Sequence, residues 1–269
     1  YEMDTVFGFF PQSALENQIG LPTTDEQRSL LEAPSSQVID LSSRPEGYWQ
    51  EDRPKLAEPM LMMLDRATMV DEEGGEAGLG TARGEKDVDP GEWFFKAHFF
   101  QDPVQPGSLG IEAMIQLLQW TMLEKGLDEG IKNPRFETLG LGEPMTWKYR
   151  GQVVPHNRLV SATLEVQSVE RTDNGVLAIG EAMLWVDGKA IYHAKNVGMR
   201  VVSGDADVVE PDGWVGDHRP TWTVPAVPGM VMAERLLAAV DQALLAGRGD
   251  ARDGRRLKRQ PHRPQAHVR

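Results

Sequence analysis

The chain of 269 residues contains no cysteine, which excludes disulfide bonds, thiol catalysis and zinc sites built on thiolates. It also lacks any apolar run approaching the ~20 residues that a membrane-spanning helix needs. No charged segment followed by an apolar one opens the sequence, and we therefore predict no signal peptide. These absences together predict a cytoplasmic protein that does not act in a membrane.

Positive charge is scarce in most of the sequence. The chain has 28 Lys and Arg against 41 Asp and Glu, and its formal net charge of -13 argues against nucleic acid as a partner. From Arg248 onward the balance reverses, because eight Arg and Lys stand against two Asp. We interpret this basic tail as a linker that is separate from the acidic remainder of the chain.

Patterning along the chain predicts three parts. Residues 1–52 have little periodicity and many polar residues and prolines, which is typical of an arm or linker on a domain surface. Residues 53–204 carry clear periodicities and form the predicted domain. Residues 205–269 are a predicted C-terminal extension. The methionine-rich spacing after Pro228 repeats the one after Pro59, so this extension contains either the start of a second copy of the domain or a chance match.

Two segments in the first half of the predicted domain favour helices. Residues 56–70 place apolar side chains on one helical face, with Pro59 suited to the first turn. A second predicted helix runs from Ser108, a good N-cap, to about Lys125, with Gly126 as its C-cap. The apolar residues of this second helix point in nearly every direction, as expected of a helix buried on all sides.

The second half of the predicted domain has strand patterns. Alternation is clearest at 159–170, where Val160 and every second residue up to Val166 are apolar. The turn signals Asp173-Asn174-Gly175 and Asp187-Gly188 predict two hairpins in the residues that follow. With a further strand in 143–154, these segments predict a four-stranded antiparallel meander with one apolar face. Such a sheet and a wholly apolar helix together predict an α+β fold in which the sheet wraps the helix.

The chemistry concentrates around that second helix. His98 lies in an aromatic cluster just before it, and Glu112 is the one ionisable residue between Asp102 and Glu124. Taken alone, His98 is also explained as a core histidine that bonds a backbone carbonyl. Glu112 is harder to explain structurally, because a buried carboxylate is costly unless it is paired or hydrogen-bonded. Gln116, one helical turn later, has the spacing to hydrogen-bond Glu112.

The start of the helix offers a place for a carbonyl oxygen. The backbone N–H of Gly107 carries partial positive charge there, and Ser108 can add a second N–H. An acyl thioester polarised at this point would have a more acidic C2 proton for His98 to remove, while Glu112 protonates the hydroxyl leaving C3. Serine hydrolase chemistry fits poorly, because no glycine lies two residues before Ser108. The six histidines show no metal-ligand spacing, so we predict no metal site.

The segment WFFKAHFFQDPVQPGSLGIEAM, residues 93–114, closely resembles the active-site segment of bacterial β-hydroxyacyl-ACP dehydratases of the β-hydroxydecanoyl type. The resemblance extends over about residues 53–202 and is closest to dehydratase domains of polyunsaturated fatty acid synthases and related iterative polyketide synthases. It implies a hotdog fold, with the histidine of one hotdog facing the acid of another. By position it implies that His98 is the base and Glu112 the acid. Gly107 would be the carbonyl-binding amide, and Gln116 would orient the acid.

The resemblance also implies the reaction and its partners. The expected enzyme removes water from 3-hydroxyacyl chains on an acyl carrier protein to give trans-2-enoyl thioesters, as a domain of a fatty acid or polyketide synthase. No cofactor is expected beyond the phosphopantetheine that carries the substrate. The expected partners are the carrier protein, other synthase domains and a second hotdog, in a homodimer or a pseudo-dimer. Bifunctional dehydratase/isomerase relatives carry Asp where this chain has Glu112, which favours dehydration without isomerisation.

Two other functions stay open from the sequence. One is a hotdog acyl-thioesterase, and the other is a non-catalytic hotdog that completes a partner's site. Docking of an acidic carrier protein needs a local basic patch. The candidates for that patch are Lys148, Arg150, Arg158 and Arg200.

Overall fold

The computed structural model describes residues 13, 19–34, 37–137, 144–173 and 175–204. The predicted extension at 205–269, with its repeat-like segment and basic tail, lies outside the described residues. The predicted boundaries of the three parts of the chain therefore stay predictions.

One antiparallel sheet of eight strands forms the body of the described domain. Along the sheet the strands follow the order β1-β2-β3-β6-β7-β8-β4, and β5 also pairs with β8. The strands are β1 Ile39–Asp40, β2 Arg66–Asp71, β3 Thr81–Asp87, β4 Pro134–Phe136, β5 Thr146–Tyr149, β6 Leu159–Thr172, β7 Gly175–Val186 and β8 Lys189–Ser203. The helices are Asp25–Glu32, Trp93–Ala97 and Gly107–Glu124, with a 3₁₀ turn at Glu46–Tyr48.

The helix Gly107–Glu124, called the central helix below, is buried against the inner face of the sheet. Side chains are buried on all its sides, from Leu109 to Leu123, which confirms the helix expected from the sequence. Its predicted start was wrong by two residues. Pro106 occupies the N-cap and Ser108 lies inside the first turn, where its side chain makes no capping hydrogen bond.

Residues 56–70 do not form the predicted helix. A turn at 59–61 leads into extended chain and then into β2, Arg66–Asp71. Met62, Met63 and Leu64 are all buried and belong to the same hydrophobic core as the central helix. Local apolar spacing favoured a helix here, whereas contacts with distant parts of the chain determine an extended path.

The predicted meander is correct for three strands and wrong for the fourth. β6, β7 and β8 are joined by the two predicted hairpins, with Thr172 opposite Gly175 and Val186 opposite Lys189. The short strand β5, however, pairs with β8. The edge of β6 that does not face β7 pairs with β3. The alternation at 159–170 distinguishes the two faces of β6 but contains no information on its neighbours, and Ser161 and Thr163 on the polar face are buried as well.

The outer face of the sheet is partly covered by the N-terminal arm. The helix Asp25–Glu32 starts with a reciprocal capping box between Thr24 and Gln27. Leu21 and Leu31 pack on a small cluster that includes the fully buried Trp185. The guanidinium of Arg83 on β3 donates to the carbonyls of Leu31 and Ala33 at 2.7 Å each. This part of the arm is therefore packed on the domain, and the sheet has apolar contacts on both faces.

At Gly110 the central helix packs tightly against β7 and β8 of the sheet. A Cβ atom at this position would overlap the buried ring of Tyr192 and lie 2.9 Å from Leu184 Cδ2. We expect Gly110→Ala to lower the free energy of unfolding by about 1–3 kcal/mol, because overpacking outweighs the better helix propensity of alanine. Denaturant unfolding measures the change. Gly47→Ala is the control, since no atom lies within 4 Å of its new methyl group; equal stability of both variants would contradict the close packing at Gly110.

Candidate active site

His98 follows the short helix Trp93–Ala97, whose residues Phe94 and Phe95 are buried in the core. Its Nδ1 lies 3.0 Å from the carbonyl oxygen of Val104. A carbonyl can only accept, so Nδ1 carries the proton and Nε2 of the neutral ring has a free lone pair. The carbonyl partner expected of a structural histidine is thus present, and it leaves Nε2 in the form that a base needs.

The loop that holds His98 is itself anchored. Val104 and Gln105 are buried, and the N–H of Gln105 donates to the Val153 carbonyl at 2.9 Å. The ring of Phe99 lies beside the imidazole, with 3.9 Å between the ring centroids. These contacts fix the half-buried imidazole from its Nδ1 side and from one face.

Glu112 is held by Gln116, as the spacing predicted. The Gln116 amide nitrogen donates to Glu112 Oε1 at 2.8 Å. The same nitrogen donates to the Leu61 carbonyl at 2.8 Å, and the amide oxygen accepts from the Met63 N–H at 2.8 Å. Gln116 is fully buried and Glu112 half-buried. The amide therefore connects the carboxylate to the turn before β2, a connection that the sequence did not indicate.

The central helix starts at Gly107, whose backbone N–H has no hydrogen-bond acceptor within the described ranges. The first N–H groups of a helix lack intrahelical partners and carry partial positive charge. Gly107 is half-buried, while the Ser108 side chain is exposed. Both backbone N–H groups belong to the first turn, which is a suitable place for an oxygen with negative charge.

Two aromatic residues beside Gly107 were not identified from the sequence. A Cβ atom on Gly107 would lie 3.2 Å from a ring carbon of Trp147 and 3.3 Å from one of Tyr149. Both rings contact Tyr192, with centroid distances of 5.4 Å and 4.8 Å. Burial raises the pKa of Tyr149, and a hydrogen bond with Tyr192 opposes that shift. Their alternation with polar residues on β5 was visible in the sequence, but the pairing that brings them to Gly107 was not.

The structure does not join His98 to Glu112 within one chain. In the part of the chain that is described, no hydrogen bond or ion pair connects them. Large apolar side chains are exposed next to His98 instead. Phe99 lies against the imidazole, Phe100 is 91% exposed, and the Trp93 indole N–H donates to the Met60 carbonyl at 2.9 Å. Met60, Trp93, Phe99 and Phe100 are called the His98 patch below.

The basic residues considered for docking differ in their availability. Lys148, Arg150 and Arg158 are exposed. Arg200 forms an ion pair with Glu137 at 2.8 Å, and both side chains are only about one fifth exposed. Arg200 is therefore already neutralised and leaves the set of docking candidates.

The described residues form no metal centre, and the larger of their two best-defined cavities lies away from His98. Among the described residues, no group of three or more His, Asp or Glu is arranged to hold a metal ion. A cavity of about 570 Å³ lies at the far end of the central helix, lined by polar residues that include Arg53 and Glu124. That cavity is separated from Gly107 by the length of the helix.

None of the described helices is long and apolar enough to span a membrane.

The antiparallel sheet wrapped around one buried helix defines a hotdog fold. The chain belongs to the FabA-like domain family, whose model matches residues 56–195. It is 32% identical over 219 residues to one of the subunits of the polyunsaturated fatty acid synthase from Thraustochytrium sp.. That match covers 76% of this chain and 14% of the relative, so the chain spans about one seventh of that protein. The family expected from residues 93–114 is thereby confirmed.

Two of the solved structures that match part of this chain are a dehydratase and a thioesterase. The dehydratase heterocomplex ApeI:P from Xenorhabdus doucetiae matches with a TM-score of 0.36 and 12% identity, over 54% of this chain and 85% of that one. A mutant thioesterase from Pseudomonas aeruginosa matches with a TM-score of 0.32 and 14% identity, over 45% of this chain and 74% of that one.

Proposed function

We propose that this chain is a dehydratase that removes water from 3-hydroxyacyl thioesters on an acyl carrier protein and gives trans-2-enoyl thioesters. The observation that carries the proposal is the bond from His98 Nδ1 to the Val104 carbonyl, since it leaves Nε2 as a proton acceptor in a FabA-like domain. The bond between Gln116 and Glu112 and the free N–H of Gly107 supply the other two groups that the reaction needs.

Each group has one role in the proposed reaction. The Gly107 N–H, with the Ser108 N–H beside it, donates to the thioester carbonyl oxygen and stabilises the negative charge that develops there. His98 Nε2 removes the proton from C2. Glu112 in its acid form donates a proton to the C3 hydroxyl, which leaves as water while the C2–C3 double bond forms. The proton on His98 then returns to Glu112 by way of solvent, which restores both groups.

A second hotdog is part of the proposal. His98 and Glu112 are not connected within one chain, and the apolar His98 patch provides a surface for another domain to cover. The second hotdog is a copy of this chain or a neighbouring domain of a larger synthase.

We further propose a cytoplasmic location, no cofactor other than the phosphopantetheine of the substrate, and carrier docking at Lys148, Arg150 and Arg158. Because residue 112 is Glu, we propose dehydration without isomerisation.

Product analysis tests this function. The protein is incubated with a 3-hydroxyacyl pantetheine thioester, and the products are separated by mass spectrometry and chromatography. The expected product is the trans-2-enoyl thioester with the thioester bond intact. Release of free thiol would replace the proposal with a thioesterase, and an unchanged substrate would favour a hotdog that only completes a partner's site.

Gln116 is expected to act by positioning Glu112. In Gln116→Ala the carboxyl group of Glu112 loses its amide donor, so we expect kcat to fall about tenfold with KM unchanged, which corresponds to the loss of about 1.4 kcal/mol from one positioning hydrogen bond. Steady-state kinetics on the pantetheine thioester measure both constants. Gln119→Ala is the control on the same helix, since its amide makes only a weak contact of 3.8 Å with Met199 sulfur. A fall in stability with unchanged kcat would leave Gln116 a purely structural role.

A further inference from the structure

Trp147 and Tyr149 form an aromatic surface at the start of the central helix. Both lie on β5, a short strand that pairs with β8 and whose four residues are all exposed. Successive side chains of a strand point to opposite faces, so Trp147 and Tyr149 share a face while Thr146 and Lys148 point away. The two rings remain 38% and 36% exposed. They therefore keep contact area that the described part of this chain does not cover.

This surface is rigid. The rings of Trp147 and Tyr149 meet edge to face at 5.8 Å, and both contact Tyr192. Tyr192 is almost fully buried and lies against Gly110 of the central helix. A surface that is already ordered loses little conformational freedom when it binds a ligand.

The position of the rings indicates which part of a substrate they meet. They lie within van der Waals reach of Gly107, where the proposed function puts the thioester carbonyl. The acyl chain on one side of that carbonyl must enter the apolar interior, whereas the carrier protein on the other side stays outside. The link between them has to pass over the partly exposed surface next to Gly107.

We propose that Trp147 and Tyr149 bind the pantetheine arm of the thioester substrate. This inference rests on the proposed function, because that function places the thioester carbonyl at Gly107. Pantetheine consists of amide planes and short aliphatic segments, both of which pack well on aromatic faces.

Two thioesters of the same 3-hydroxyacyl group test the assignment, one on pantetheine and one on methanethiol, a truncated analogue that lacks the whole arm. For Trp147→Ala we expect KM for the pantetheine thioester to rise about tenfold, as for loss of one aromatic contact, with kcat unchanged. KM for the truncated thioester is expected to change less than about twofold. Trp147→Phe should restore most of the affinity, and Thr146→Ala, on the other face of β5, should match wild type.

Other outcomes would overturn the assignment. An equal rise in KM for both thioesters would move the contact to the acyl part. A lower molecular mass of Trp147→Ala in solution would make the surface an interface with a partner. Calorimetric binding of free pantetheine, expected to weaken about tenfold in Trp147→Ala, tests the surface without turnover. If the wild-type protein binds pantetheine but dehydrates no thioester, the proposed function fails while the binding surface stands. If the wild-type protein dehydrates the thioester and Trp147→Ala has no effect, the proposed function stands while the binding surface fails.

Discussion

Replacement of His98 by alanine is expected to lower kcat for dehydration on the order of a thousandfold, the usual contribution of a positioned general base. The imidazole is the proposed acceptor of the C2 proton, and its Nδ1 bond to Val104 fixes the tautomer that can accept it. KM should change little, because the proposed binding site of the thioester carbonyl is Gly107 and not His98. The rate is followed by the ultraviolet absorbance of the enoyl thioester.

A second histidine variant separates this effect from general damage. His156 is exposed in a turn, so His156→Ala should keep wild-type kcat. Thermal unfolding of both variants should resemble that of wild type. A wild-type kcat in His98→Ala would contradict the role of His98 as the base, and Glu112 would remain as the only proposed proton-transfer group.

His98→Ala, combined with Glu112→Gln, also tests whether the second hotdog is another copy of this chain. His98→Ala and Glu112→Gln are each expected to be inactive when pure. The two variants are mixed, unfolded and refolded together. In a dimer with one chain of each variant, one of the two sites has both an intact His98 and an intact Glu112. Random pairing then restores about one quarter of wild-type activity. No recovery, with dimers present, would assign the second hotdog to a neighbouring domain.

Loss of Arg53 is expected to cost about 3–5 kcal/mol of unfolding free energy, the cost of leaving a buried charge unpaired. The Arg53 guanidinium donates to both carboxylate oxygens of Asp128 at 2.7 Å and to the Leu123 carbonyl at 2.9 Å. The hydrogen bond with Asp128 is also the main reason why the pKa of Arg53 is raised. Asp128 is only 5% exposed, so in Arg53→Ala its carboxylate loses its charged partner and water can reach it only from the cavity beside residue 53.

A surface ion pair provides the matched control for Arg53. Arg44 also makes two hydrogen bonds to one carboxylate, that of Glu58, but both groups are exposed. Arg44→Ala should therefore unfold at the wild-type denaturant concentration. Arg53→Lys should recover part of the loss, since it keeps the charge without the planar fork. If Arg53→Ala were as stable as Arg44→Ala, the Arg53–Asp128 pair would not hold the end of the central helix.

Features determined by neighbouring residues could be predicted from the sequence. The central helix and the hairpins at 173–175 and 187–188 follow from apolar spacing and turn residues alone. The 56–70 segment could not be predicted in this way, since its extended path depends on Met63 bonding Gln116, 53 positions along the chain. The partner of β5 is likewise a choice among strands that look alike locally.

In the candidate site, too, contacts between residues close in sequence could be predicted, whereas contacts between distant residues could not. The bond between Gln116 and Glu112 joins residues one helical turn apart, so helical spacing was enough to predict it. The aromatic rings at Trp147 and Tyr149 reach Gly107 only because β5 pairs with β8. No periodicity in the sequence specifies that pairing, and both residues were missed for that reason.

The Gln116 amide couples the position of Glu112 to that of residues 61–63. One side-chain nitrogen holds both the Glu112 carboxylate and the Leu61 carbonyl, so neither can shift without affecting the other. Leu61 is exposed directly after Met60, a residue of the His98 patch. A domain that presses on this surface would therefore also set the position of the acid. In the proposed reaction, assembly with a second hotdog and proton donation by Glu112 would thus both involve the Gln116 amide.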